Sequence, residues 1–183
     1  MSGAVGDRRP VLVLVGFMGA GKSTVGRTVA DLLGVDFVDT DAELVNRDGR
    51  TIPEIFRVDG PAHFRELERA VVDDLLANHG GVVALGGGAV TTEAVRDALV
   101  GHRVVHLEIS ADDGFARVKN SDRPLIEADD PAARYAELLT ERADIYASVA
   151  TIVVDAGSGG PDEVADRIIE HLARELTAER ENR

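Results

Sequence analysis

Nine consecutive residues, Gly16-Phe17-Met18-Gly19-Ala20-Gly21-Lys22-Ser23-Thr24, have the types and spacing of a polyphosphate site. Glycines let the backbone turn tightly and direct its N–H groups at an anion. A helix starting at the end of the run adds unpaired N–H groups and a partial positive charge. Lys22 supplies a full positive charge for β- and γ-phosphates, and Ser23 offers a hydroxyl to Mg²⁺. Gly19, Ala20, Gly21, Lys22, Ser23 and Thr24 are therefore candidates for binding a nucleoside triphosphate, ATP in the simplest case.

A second group is acidic. Asp39-Thr40-Asp41 offers one carboxylate for a metal ion and another to orient or deprotonate an acceptor hydroxyl. Either aspartate can instead serve only as a helix cap. Gly86-Gly87-Gly88 permits close approach of a ligand and can aim N–H groups at a carboxylate, or it is simply a flexible loop. Arg65 and Glu68 are spaced to share a helix face. A guanidinium suits bidentate carboxylate recognition, although at this spacing a solvated ion pair is the commoner fate. Arg123, within Asn120-Ser121-Asp122-Arg123-Pro124-Leu125, reads as part of a mobile loop able to close over phosphates, or as an ordinary surface loop. Arg142 lies on the following helix, near Tyr135 and Tyr146, where a surface arginine is the default. His63, His79, His102, His106 and His171 have no metal-ligand spacing and read as structural or surface residues.

These groups need a scaffold. Val11–Val15 is a continuous apolar run, the mark of a buried parallel strand. Val25, Val29, Leu32 and Leu33 then recur at helical spacing, with Gly34 as a stop. Strands are expected at Phe37–Asp39, Val82–Leu85, Val104–Ile109 and Thr151–Val154. Thr51 and Glu54 form a capping-box pattern, and a longer helix is expected from about Pro61 to Ala77. Thr91 or Thr92 can cap the next helix. Pro161 opens the last one, with Val164, Ile168 and Leu172 inward, and fraying is expected from about Glu175. Alternating strands and helices imply an α/β protein with a parallel sheet. Ligands in such sheets bind at the carboxyl ends of strands. The phosphate loop, Asp39–Asp41 and the triple glycine each follow a strand, so all three should meet at one edge.

Composition narrows the partners. The 183 residues suit a single domain spanning 1–183, with flexible tails at 1–9 and 176–183. There is no cysteine, which excludes disulfides and Cys-based metal sites. A net charge of −13 argues against nucleic acid as a partner. Neither a signal peptide nor a membrane-spanning run is visible, so a cytoplasmic protein without membrane contact is expected. No interface motif stands out, which points to a monomer.

Taken together, these motifs resemble the shikimate kinase family from about Pro10 to about Leu172. The match is carried by the phosphate loop, Asp39-Thr40-Asp41, Phe64-Arg65-x-x-Glu68, Leu85-Gly86-Gly87-Gly88, Arg123-Pro124-Leu125 and Arg142 with Tyr146. The resemblance implies a three-layer P-loop kinase fold with a five-stranded parallel sheet in the order 2-3-1-4-5 and a mobile lid. It also implies transfer of the ATP γ-phosphoryl to the 3-hydroxyl of shikimate, on the route to chorismate and the aromatic amino acids. Arg65, Arg142 and the Gly88 backbone would hold the shikimate carboxylate, with Gly86 and Gly87 beside it. Asp41 would bind ring hydroxyls and is the candidate base, with Glu68 steadying Arg65 and the substrate. Ser23 and Asp39 would serve one Mg²⁺, Lys22 and Arg123 the phosphates, and Arg117 would lie against adenine. Rival readings are a gluconate- or nucleotide-type kinase and a non-catalytic nucleotide-binding regulator. The low aromatic content, 4%, disfavours a nucleobase acceptor pocket, and the guanine-reading Asn-Lys-x-Asp pattern is absent after the fourth strand.

Overall fold

The computed structural model describes residues 9–119, 124–126 and 128–181. Five strands, β1 (Leu12–Val15), β2 (Phe37–Asp39), β3 (Val82–Ala84), β4 (Val104–Glu108) and β5 (Ile152–Asp155), form one sheet in the order β2-β3-β1-β4-β5. Every pairing is parallel.

The unbroken apolar run of β1 follows from burial on both faces. Leu12 and Leu14 point to one side, where they pack with Val29 of α1 (Lys22–Leu33) and Ile168 of α7 (Pro161–Glu181). Val13 and Val15 point to the other, against α3 (Ile52–Asn78) and α6 (Pro131–Val149). Helices thus cover both faces of the sheet, and the α/β expectation with strand order 2-3-1-4-5 is met.

Several local expectations need correction. Leu32 and Leu33 are 57% and 36% exposed; Gly26 and Ala30 take the inner positions of α1 instead. By contrast, the short and long helices expected on either side of residue 60 are both present; they abut at Gly60, whose φ 81° and ψ 174° are not helical, and together make up α3. Helix α2 (Thr40–Asp48) follows β2 directly, and Asp39 caps it by accepting the N–H groups of Asp41 and Ala42. Thr92 stands at the cap of α4 (Glu93–Ala98) without a side-chain cap bond, whereas Thr91 Oγ1 donates to the Gly88 carbonyl at 2.7 Å. The last helix runs to Glu181, and Arg103 Nε, just before β4, donates to Glu175 Oε2 at 2.8 Å.

Candidate active site

The site begins at the turn out of β1. Gly19 and Gly21 have φ of 86° and 85°, left-handed values that side chains disfavour, and Gly21 caps α1. The loop wraps Lys22, whose Nζ donates to the carbonyls of Gly16 at 2.7 Å and Phe17 at 3.3 Å. Tyr135 of α6 braces the loop from behind. Its hydroxyl donates to the Met18 carbonyl at 2.7 Å, and its ring meets Phe17 edge-on.

Asp39 ends β2 next to this loop. Its Oδ2 accepts from Ser23 Oγ at 2.5 Å, while its Oδ1 accepts from the N–H of Asp41 at 3.0 Å. One carboxylate therefore caps α2 and faces the phosphate-loop serine. Ser23 and Asp39 present hard oxygen donors, the chemistry that Mg²⁺ prefers when phosphate oxygens and water complete its shell. Among the described residues no group of three or more His, Cys, Asp or Glu is placed to hold a metal, so an ion here needs such outside ligands.

The triple glycine joins the two motifs. Thr40, fully buried, accepts the Gly86 N–H at 2.9 Å through its hydroxyl. A β-carbon at Gly86 would overlap the Asp41 carboxylate, so glycine allows this close approach. One at Gly87 would stand 3.9 Å from Lys22 Nζ, which places the phosphate lysine beside the third strand's end. The Gly87 carbonyl accepts from Tyr146 Oη at 2.5 Å.

Beyond the glycines opens a cavity of about 540 Å³. Asp41, Arg65, Glu68, Gly86–Gly88 and Arg142 line it together, with Phe56, Phe64 and Leu125 supplying apolar wall. Arg142 lies over the Phe17 ring at 5.5 Å. Glu68 is only 4% exposed, and burial, reinforced by the Asp41 charge and opposed by Arg65, pushes its carboxyl up to about 7. A second recess of about 220 Å³ lies on the other side of the loop, lined by Ala20, Gly21, Thr24, Arg117 and Pro161 among others. Arg117 donates to the carbonyls of Gly19 at 3.1 Å and Ala156 at 2.8 Å.

Thus Lys22, Ser23, Asp39, Asp41, Arg65, Glu68, Gly86–Gly88 and Arg142 converge, and Arg117 flanks them. Arg123 lies outside the described residues. Thr40, Tyr135 and Phe17 brace the loops, and nothing in their spacing along the sequence reveals it. Arg65 and Glu68 do not form a solvated surface pair, because Glu68 turns inward.

A family model described as "Shikimate kinase" matches residues 18–173. A shikimate kinase of Thermobifida fusca is 50% identical over 90% of this chain and 95% of its own length. One from Mycobacterium avium is 49% identical over 89% of this chain and 93% of its own. Among solved structures, a shikimate kinase from Acinetobacter baumannii in complex with shikimate superposes with a TM-score of 0.86 at 34% identity, covering 92% of this chain and 96% of that one.

Proposed function

The chain belongs to the shikimate kinase family, and on that premise we propose that it transfers the ATP γ-phosphoryl to the 3-hydroxyl of shikimate, giving shikimate 3-phosphate and ADP. The observation that carries this reading is the 540 Å³ cavity in which two guanidinium groups, Arg65 and Arg142, share space with Asp41 immediately beyond the phosphate loop. A small ring acid with several hydroxyls needs that combination: forks for its carboxylate and acidic acceptors for its hydroxyls.

In this reading the phosphates of ATP sit in the N–H cradle of Gly19–Thr24, and Lys22 neutralises the β- and γ-oxygens. Adenine occupies the recess beside Arg117 and Pro161. Arg65, Arg142 and the Gly88 N–H fix the acceptor's carboxylate, which turns the 3-hydroxyl toward Lys22. Asp41 orients that hydroxyl and receives its proton as the new O–P bond forms and the bond from the γ-phosphorus to ADP breaks. Glu68 steadies Arg65. Arg123, which follows α5 (Ala111–Val118) in the chain, would serve the phosphates, as the family resemblance implies. Ser23 and Asp39 would hold one Mg²⁺, which when bound supplies charge neutralisation at the phosphate oxygens. Positioning and charge stabilisation meet most of the demand of phosphoryl transfer. We further propose that the enzyme works as a monomer in the cytoplasm; among the described residues no helix is long and apolar enough to cross a membrane.

A coupled ADP-release assay against shikimate, gluconate and nucleoside monophosphates, with an acceptor-free blank, tests the proposal. Turnover should require shikimate. ADP release equal in the blank, or faster with gluconate or a nucleotide, would overturn it.

A further inference from the structure

Glu108 ends β4 and Asp155 ends β5, and the two are register partners at the carboxyl edge of the sheet. Between them and α6 lies a cavity of about 460 Å³ that is separate from the proposed acceptor and adenine sites. Phe17, His106 and Tyr146 give it an aromatic floor. Asp155 accepts from the Gly157 N–H at 2.8 Å and from Ser158 Oγ at 2.5 Å; the Ser158 bond, first among these contacts, holds its carboxyl below the usual range. It is therefore ionised at neutral pH.

His106 is 7% exposed and faces this cavity. Its ring stacks on Tyr146 at 5.2 Å and 21°, yet no hydrogen bond from another described residue reaches the imidazole. Burial, aided by the Lys22 charge and opposed by Glu108, lowers its pKa, so the ring is neutral and offers an acceptor nitrogen at pH 7. An imidazole nitrogen that opens onto a cavity can accept a ligand N–H. The carboxylates at the rim repel anions. No set of three metal-ligating side chains is present among the described residues, which disfavours a bare ion. An ammonium ion attached to a flat apolar body fits the charge, the acceptor and the aromatic floor.

We propose that this cavity binds a small arylalkyl ammonium ion, its ammonium between the His106 imidazole and the Glu108 carboxylate and its ring against Phe17. Occupancy is felt next door, because the two cavities share a wall. Tyr146 donates to the Gly87 carbonyl, and Arg142 lies over Phe17. Gly87 and Arg142 line the cavity proposed for the acceptor. A ligand that shifts the Tyr146 or Phe17 ring therefore reaches the acceptor's guanidinium clamp through Gly87 and Arg142.

The probe is 2-phenylethylamine, with 3-phenylpropionate as the anionic and 2-phenylethanol as the neutral control. Binding is read by NMR from the His106 ring signals, identified by their loss in His106→Phe. The amine should shift them saturably and the anion should not. Glu108→Gln, an exposed substitution that leaves the fold intact, should weaken the amine about three- to five-fold. Saturating amine should change the KM for shikimate about two-fold or more. Absence of a saturable shift up to about 20 mM amine, equal binding of the anion, or an unchanged Kd in Glu108→Gln would overturn the site. Binding with an unmoved shikimate KM would overturn the coupling. Because the NMR readout needs no turnover, its failure is distinct from failure of the kinase reading.

Discussion

Asp39 uses one carboxylate in two ways: Oδ1 caps α2, and Oδ2 faces Ser23. In the sequence these were alternatives, and the geometry makes them compatible. Arg65 and Glu68 differ in the opposite sense, since the spacing suits a surface pair but the inward turn of Glu68 places both side chains at the cavity. Two predictions belong to these residues. Arg65→Lys keeps the charge and loses the fork, so the KM for shikimate should rise about ten-fold with kcat less affected; steady-state kinetics with shikimate varied would read this, and an unchanged KM would remove Arg65 from the acceptor's carboxylate. Glu68 has a folded pKa raised to about 7 from the ordinary 4.5. The folded state therefore binds its proton more tightly than the unfolded chain does. The associated stability is fully present below pH 4.5, declines as pH rises and is lost above about 7. Thermal melts across this window should show the ligand-free protein losing stability relative to Glu68→Gln as pH rises; parallel curves would mean that Glu68 ionises as freely as an exposed glutamate.

At the scale of elements, the phosphate loop owes its placement to a helix remote in sequence. Tyr135 of α6 donates to Met18, and Tyr146 of the same helix donates to Gly87. α6 thus pins two of the three strand-end loops and carries Arg142 between them. Tyr135→Phe keeps the ring packing and leaves the Met18 carbonyl without this donor. The expected cost is about 1–2 kcal/mol, a Tm lower by roughly 3–6 °C, which calorimetry would measure. A change of under about 1 °C would mean that the bond contributes little to stability. The bend at Gly60 has a comparable positional effect. It separates the first turns of α3, which bring Ile52, Pro53 and Phe56 to the cavity, from the longer part that carries Phe64, Arg65 and Glu68.

For the molecule as a whole, an acidic chain of net charge −13 is proposed to gather two anions at one end of its sheet. Lys22, Arg65, Arg117 and Arg142 supply the local positive charge that the total lacks. Joint binding should stabilise the fold by mass action. Shikimate together with a non-hydrolysable ATP analogue, each near 100 times its Kd, should raise Tm by roughly 5–20 °C, and more than either alone. Differential scanning fluorimetry would detect this, and an unmoved Tm would contradict binding of the pair. The sequence by itself determined the phosphate loop, the α/β class with a parallel sheet and the convergence of Asp39–Asp41 and Gly86–Gly88, because strand, turn and helix signals are local and a parallel sheet puts every such turn on one edge. Only the tertiary structure decided that Glu68 is buried, that Thr40 holds Gly86, that α6 braces two loops and that His106 faces a cavity of its own. Those outcomes depend on which helix packs over which loop, a contact between residues tens of positions apart that no local periodicity encodes.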